Sequence, residues 1–203
     1  MKIRCITLTT ALLLLIGCAS EQATKRQAPQ KTTVFLQPFE DFPQEEAQKL
    51  KTDLERHHLD STIHEKVEIK VLPSIPLKPD YLNDAKTRYQ AGKLIRQSGD
   101  HPATTILLTH KDISTSAHGR KDWGILGLSI AAKHTCVVST YRVHPKSNLW
   151  RVATHEFIHT RFNYPHCPKN NNACIMQDAK GKPRFSNKNR LCAYCDSIIS
   201  ILK

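Results

Sequence analysis

The chain has 203 residues, 30 Lys+Arg against 18 Asp+Glu, a formal net charge of +12 and 39% hydrophobic content. That is enough for one globular domain with its own core and too little for two large ones. The longest apolar run, Ile6–Gly17, is too short to cross a bilayer as a helix, which excludes a polytopic membrane protein.

Residues 1–17 carry an early Lys2 and Arg4, then the apolar run, then Gly17 directly before Cys18. This resembles a bacterial lipoprotein signal peptide. The resemblance implies cleavage before Cys18, lipidation of its thiol and a mature chain anchored by acyl chains. It places the protein at the cell envelope, on the outer membrane because Ala19 is unlike an inner-membrane retention signal. Export makes a nucleic-acid partner unexpected, so the basic balance reads either as a solvated, scattered surface, since no dense basic run is present, or as attraction to anionic lipid, envelope polymers or acidic substrates. Residues 18–32 hold no large apolar side chain and read as a tether after the lipidated cysteine. No coiled-coil pattern is present, and a monomer is expected.

From residue 33 to 203 the pattern is that of a single domain. Thr33–Gln37 reads as a strand, and Pro43–Leu59 as a helix opened by Pro43 with Leu50, Leu54 and His57/His58 at helical spacing. Val67–Leu72 alternates apolar and polar residues as a second strand. A Pro-punctuated loop, Pro73–Pro79, leads to a helix over Asn83–Gln97 that Gly99 terminates. Thr104–Thr109 reads as a buried strand, and Trp123–Ile130 and Cys136–Tyr141 as two adjacent strands. Leu149–Arg161 is the last predicted helix. Alternation of this kind predicts an α/β domain, a mixed sheet layered with helices, followed by a small Cys-rich C-terminal part.

His155-Glu156-Phe157-Ile158-His159 lies on that last helix, where i, i+4 spacing puts both imidazoles on one face with Glu156 beside them. Such a set suits zinc, which lowers the pKa of a bound water, with a carboxylate positioned to take the proton. His166 and Cys167 follow, then Cys174, Met176, Cys192 and Cys195. Four cysteines ending in a CxxC pair fit a structural zinc site. Export leaves a second reading open, local disulfides Cys167–Cys174 and Cys192–Cys195. Cys136, in an apolar strand, reads as a buried free thiol.

The string from His155 to Cys195 resembles the archaemetzincins, zinc metallopeptidases with the pattern HExxHxxGxxHC, four residues, CxM, a spacer and CxxC. Weaker similarity extends upstream through Ile106–Thr109, Trp123–Ile130 and Val137–Arg142. The resemblance implies a metzincin-like sheet, a catalytic zinc on His155, His159 and His166, Glu156 as general base, and a second zinc on Cys167, Cys174, Cys192 and Cys195. It further implies a methionine turn at Met176, peptide or protein substrates, and a strand over Trp123–Ile130 that borders the cleft and pairs with extended substrate. The sequence departs from the pattern twice. The glycine is missing and the third histidine falls one residue late, so Asn163 must take the left-handed turn; Asp178 or water is the alternative third ligand. The Cys167–Cys174 spacer is also longer. These departures keep a second reading in view, a non-catalytic envelope binding protein held together by zinc or disulfides.

Overall fold

The computed structural model describes residues 31–180 and 187–202. The expected signal peptide, Cys18 and nearly all of the expected tether lie outside the described residues. Among the described residues, no helix is long and apolar enough to cross a membrane.

The described residues form eight strands and five α-helices, in order: β1 (Thr32–Pro38), α1 (Gln44–Arg56), α2 (Leu59–Ile63), β2 (Val67–Val71), β3 (Tyr89–Gln90), α3 (Ala91–Gln97), β4 (Thr104–Thr109), β5 (Ile113–Ala117), β6 (Arg120–Ile125), β7 (Gly127–Ile130), β8 (Thr135–Ser139), α4 (Leu149–Phe162) and α5 (Ala193–Ile199). The main sheet has the order β2-β1-β4-β8-β7. Its first four strands are parallel and β7 runs antiparallel along β8 at the edge. A smaller sheet, β3-β5-β6, lies beside it.

β4 and β8 are buried at every position because helices cover both faces of the sheet, the usual state of parallel strands. Alternate residues divide between the two layers. Ile106, Leu108, Cys136 and Val138 join the core with Leu50 and Leu54 of α1 and Phe157 of α4. Leu107 and Val137 point the other way, to Leu94 and Ile95 of α3. Each such fully buried side chain contributes about 1.5–3 kcal/mol of transfer free energy.

The predicted α/β architecture stands, with three local corrections. The helix expected over Pro43–Leu59 stops at Arg56, because His58 adopts a left-handed conformation (φ 55°) and His57 turns away to stack on Trp150, ring centroids 3.8 Å apart. The helix expected from Asn83 begins only at Ala91. Asn83 Oδ1 accepts the backbone N–H groups of Thr87 (2.9 Å) and Arg88 (3.3 Å), which closes a turn where the first helical bonds would form. The strand expected over Trp123–Ile130 is two strands in different sheets, changing partner from β5 to β8 at Leu126. β5 and α5 were not expected.

Asp112 ties the layers together. Its carboxylate accepts from Arg88 Nε at 2.7 Å and from Arg142 Nε and Nη2, both at 2.7 Å, while Arg88 also reaches Asp122 at 2.6 Å. Asp112→Ala would leave the Arg142 guanidinium without its carboxylate and Arg88 with Asp122 alone, and is expected to lower stability by roughly 2–3 kcal/mol, read from the urea unfolding midpoint.

Candidate active site and metal centre

α4 packs against β7 and β8 and is buried around most of its circumference. From it, His155 and His159 bring their Nε2 atoms to 3.0 Å from each other. The other ring nitrogens face backbone carbonyls, His155 Nδ1 on Ile175 O at 2.7 Å and His159 Nδ1 on Tyr164 O. A carbonyl can only accept, so both Nδ1 atoms carry the hydrogen and both Nε2 atoms present lone pairs to the same point.

Asn163 ends α4 in the left-handed region (φ 47°, ψ 33°), as the missing glycine required. The turn returns the chain so that His166 stands 5.3 Å from His155 and 4.8 Å from His159 between ring centroids. One ligand atom from each of the three imidazoles lies within 4.8 Å of the others. Asp178 is outside this group, although it lines the same cleft. Burial holds all three histidines below their ordinary pKa, His159 down to about 4, so the rings are neutral and able to ligate at physiological pH.

Glu156 is 8% exposed and borders the cleft, and burial pushes its carboxyl up to about 8. β7 passes directly over it. A Cβ added at Gly127 would stand 2.5 Å from Glu156 Cγ and 2.8 Å from Oε1, so only glycine admits this approach. The cleft is 530 Å³ in volume, with Gly127, Leu128 and Ser129 of the edge strand along one wall and His118 and Trp123 of the smaller sheet further out.

The four C-terminal cysteines also converge. One sulfur from each of Cys167, Cys174, Cys192 and Cys195 lies within 4.8 Å of the rest, and Cys167 and Cys192 sulfurs are 3.7 Å apart. All four are free thiols gathered to one point, not two disulfide-bonded pairs. Cys192 caps the N-terminus of α5 and Cys195 sits in its first turn. Burial works against ionisation of Cys192, but the Cys195 N–H and the neighbouring thiols outweigh it and draw the group down to about 7. Burial pushes Cys174 up to about 11. Cys136 is a fully buried free thiol, as expected.

The two clusters share backbone. Ile175 offers its carbonyl to His155, Met176 accepts the Cys167 N–H at 2.8 Å, and Cys174 belongs to the thiol group. Met176 is fully buried in this segment. Tyr164 is only 6% exposed, and its hydroxyl lacks an oxygen or nitrogen partner among the described residues and lies beside Cys195. A thiolate at Cys195 would accept that hydrogen. Converging imidazole lone pairs, four sulfurs and a stranded hydroxyl aimed at one of them are the donor chemistry of two metal sites.

His57, His58, His64, His110, His118, His134 and His144 belong to neither cluster. His64 instead bonds Asp196 at 2.9 Å. Sequence reasoning did not find Gly127, Gln177, Lys188 or Arg151 of the cleft. A glycine inside an apolar strand run was the one available signal, and the other three gave none.

Comparison with solved structures gives the same fold. An archaemetzincin from Archaeoglobus fulgidus, complexed with malonate, is 23% identical with a TM-score of 0.62, over 82% of this chain and 99% of that one. An archaemetzincin from Methanopyrus kandleri is 20% identical with a TM-score of 0.66, over 85% and 95%. A zinc-dependent peptidase from Methanocorpusculum labreanum is 16% identical with a TM-score of 0.60, over 82% and 99%. No protein-family model and no curated protein matches the chain. The chain therefore has the archaemetzincin fold, a mixed sheet layered with helices that carries His155 and His159 on α4, His166 shortly beyond it and the cysteine cluster near its C-terminus.

Two predictions follow from this geometry. Gly127→Ala must displace the Glu156 side chain and is expected to cost about 1–3 kcal/mol in thermal unfolding. Glu156 holds its proton more tightly folded than unfolded, so it favours folding below its ordinary value of 4.5 and loses that contribution as pH rises through about 8. In metal-stripped protein, Glu156→Gln is accordingly expected to raise the melting temperature more at about pH 8 than at about pH 5.

Proposed function

We propose that this protein is a zinc-dependent peptidase tethered to the cell envelope. The observation that carries the reading is the pair of unprotonated Nε2 atoms 3.0 Å apart, with His166 beside them and the buried Glu156 carboxyl in the same cleft. His155, His159 and His166 would hold the catalytic zinc. When bound, zinc supplies a Lewis acid that acidifies water and polarises a peptide carbonyl.

The remaining steps belong to the protein. The charge of a dication would draw the Glu156 pKa down from its buried value, leaving a carboxylate able to accept a proton. Glu156 takes the proton of the attacking water on its carboxylate and delivers it to the amine nitrogen as the C–N bond breaks. β7, an edge strand along the cleft, offers unpaired backbone groups to an extended peptide, which would add as a further strand. Cys167, Cys174, Cys192 and Cys195 would hold a second, structural zinc that fixes the Cys174–Met176 segment beneath His155, with Met176 as the methionine turn.

At the N-terminus, Lys2, Arg4, the apolar run and Cys18 support export and lipid attachment, with the outer membrane as the site and a monomer as the working unit. The test is hydrolysis of a peptide library by zinc-loaded protein. Glu156→Gln is expected to keep its zinc and lose at least about 100-fold in turnover. Full turnover in that variant would refute the mechanism.

A further inference from the structure

One wall of the cleft carries a cation that the proposed reaction does not use. Lys188 is only 8% exposed, yet it lines the same cavity as His155, Glu156 and His166. Among the described residues its ammonium donates to one acceptor, the carbonyl of Gln177. Asp178 is the carboxylate whose field reaches it, but the two form no ion pair among the described residues. The segment 181–186 just before it, Gly-Lys-Pro-Arg-Phe-Ser, contains no acid that could serve. An ammonium has three N–H donors, and a buried one left mostly unmatched is costly unless a ligand completes it.

The surroundings have the same sign. Arg151 and Lys180 line the cavity as well, against Asp178 and Glu156. Arg151 is engaged by the carbonyl of Lys188 and by the side chains of Asn148 and Asn189, with no carboxylate among those partners. It therefore adds charge and holds Lys188 in place from behind. Gln177 Oε1, buried in the same wall, has no partner among the described residues and leaves an acceptor beside the cation for a peptide N–H.

We infer that Lys188 is a specificity determinant that receives a carboxylate of the substrate, so that the cleft selects peptides with an acidic group beside the bond to be cut. This rests on the peptidase reading above and names its substrate class. The carboxylate is that of an Asp or Glu side chain or of a free C-terminus, and both sources present the same oxygens to the ammonium.

The test uses zinc-loaded full-length chain carrying Glu156→Gln, so that bound peptides stay intact, and measures binding by calorimetry. The probes are capped peptides differing only by Glu or Gln at successive positions, and a third set with a free C-terminal carboxylate. Lys188 is expected to bind the matching acidic probe roughly 10- to 100-fold more tightly than its neutral twin. Lys188→Met should abolish the preference, Lys188→Arg should keep it, and Lys188→Glu should transfer it to a Lys peptide, a reversal that misfolding cannot produce. Equal binding of acidic and neutral probes, binding of neither, or a preference that survives Lys188→Met would overturn the inference. The peptidase reading fails separately. Protein with intact Glu156 that shows the Lys188-dependent preference but cleaves none of the probes sinks that reading alone, and protein that cleaves Glu and Gln probes equally sinks this inference alone.

Discussion

Two imidazole nitrogens that both present lone pairs at 3.0 Å repel each other, and the carbonyls of Ile175 and Tyr164 prevent either ring from escaping by changing tautomer. Only a cation between them turns that arrangement into an attraction. Much of the C-terminal half serves the condition. α4 supplies the two rings at one-turn spacing, the sheet beneath α4 fixes its position, and the chain beyond Asn163 doubles back to deliver both the Tyr164 carbonyl and His166. The same doubling back buries Tyr164 beside the cysteines, so one turn helps to build both clusters.

The cysteine group is best understood as a brace for this centre. The stretch from Cys174 to Gln177 has little regular structure of its own, yet it must hold the Ile175 carbonyl to within hydrogen-bond reach of His155. It is held from several sides: Ile175 N–H bonds Arg190 O at 2.8 Å, the Met176 carbonyl takes the Cys167 N–H, and the Cys174 sulfur accepts from the Cys192 N–H at 3.4 Å. Loops this short are positioned by cross-links more readily than by packing, and a tetrahedral metal is a compact cross-link. The one-residue displacement of His166 is absorbed locally. Asn takes the left-handed conformation at modest cost because its short polar side chain tolerates it, and the extra residue lengthens the turn without moving α4.

The features legible in the sequence were those set by local spacing. The HExxH pair and the closing CxxC pair follow from short-range patterns, as do the fully buried strand β4 and the end of α3 at Gly99, while the late histidine and the turn at Asn163 came from the resemblance to the archaemetzincin pattern. What escaped was set by contacts distant in sequence. β5 is rich in Ser and Thr and is a strand through its pairing with β3 and β6. No Gly or Pro separates Asn83–Arg88 from the helix that follows, but the Asn83 side chain competes for the backbone. The Trp123–Ile130 run shows no break at Leu126, because only the tertiary fold assigns its halves to different sheets. Lys188 looks like any surface lysine until the fold places it in the cleft wall.

The central claim is that both clusters are built around cations, and metal content tests it most directly. Protein purified without added metal would be assayed for bound zinc, with free thiols counted after chelation and denaturation under non-reducing conditions. Two zincs per chain, with the four clustered cysteines and Cys136 all titrating as thiols, is the result the account predicts. Absence of bound zinc, together with oxidised Cys167, Cys174, Cys192 and Cys195, would contradict it.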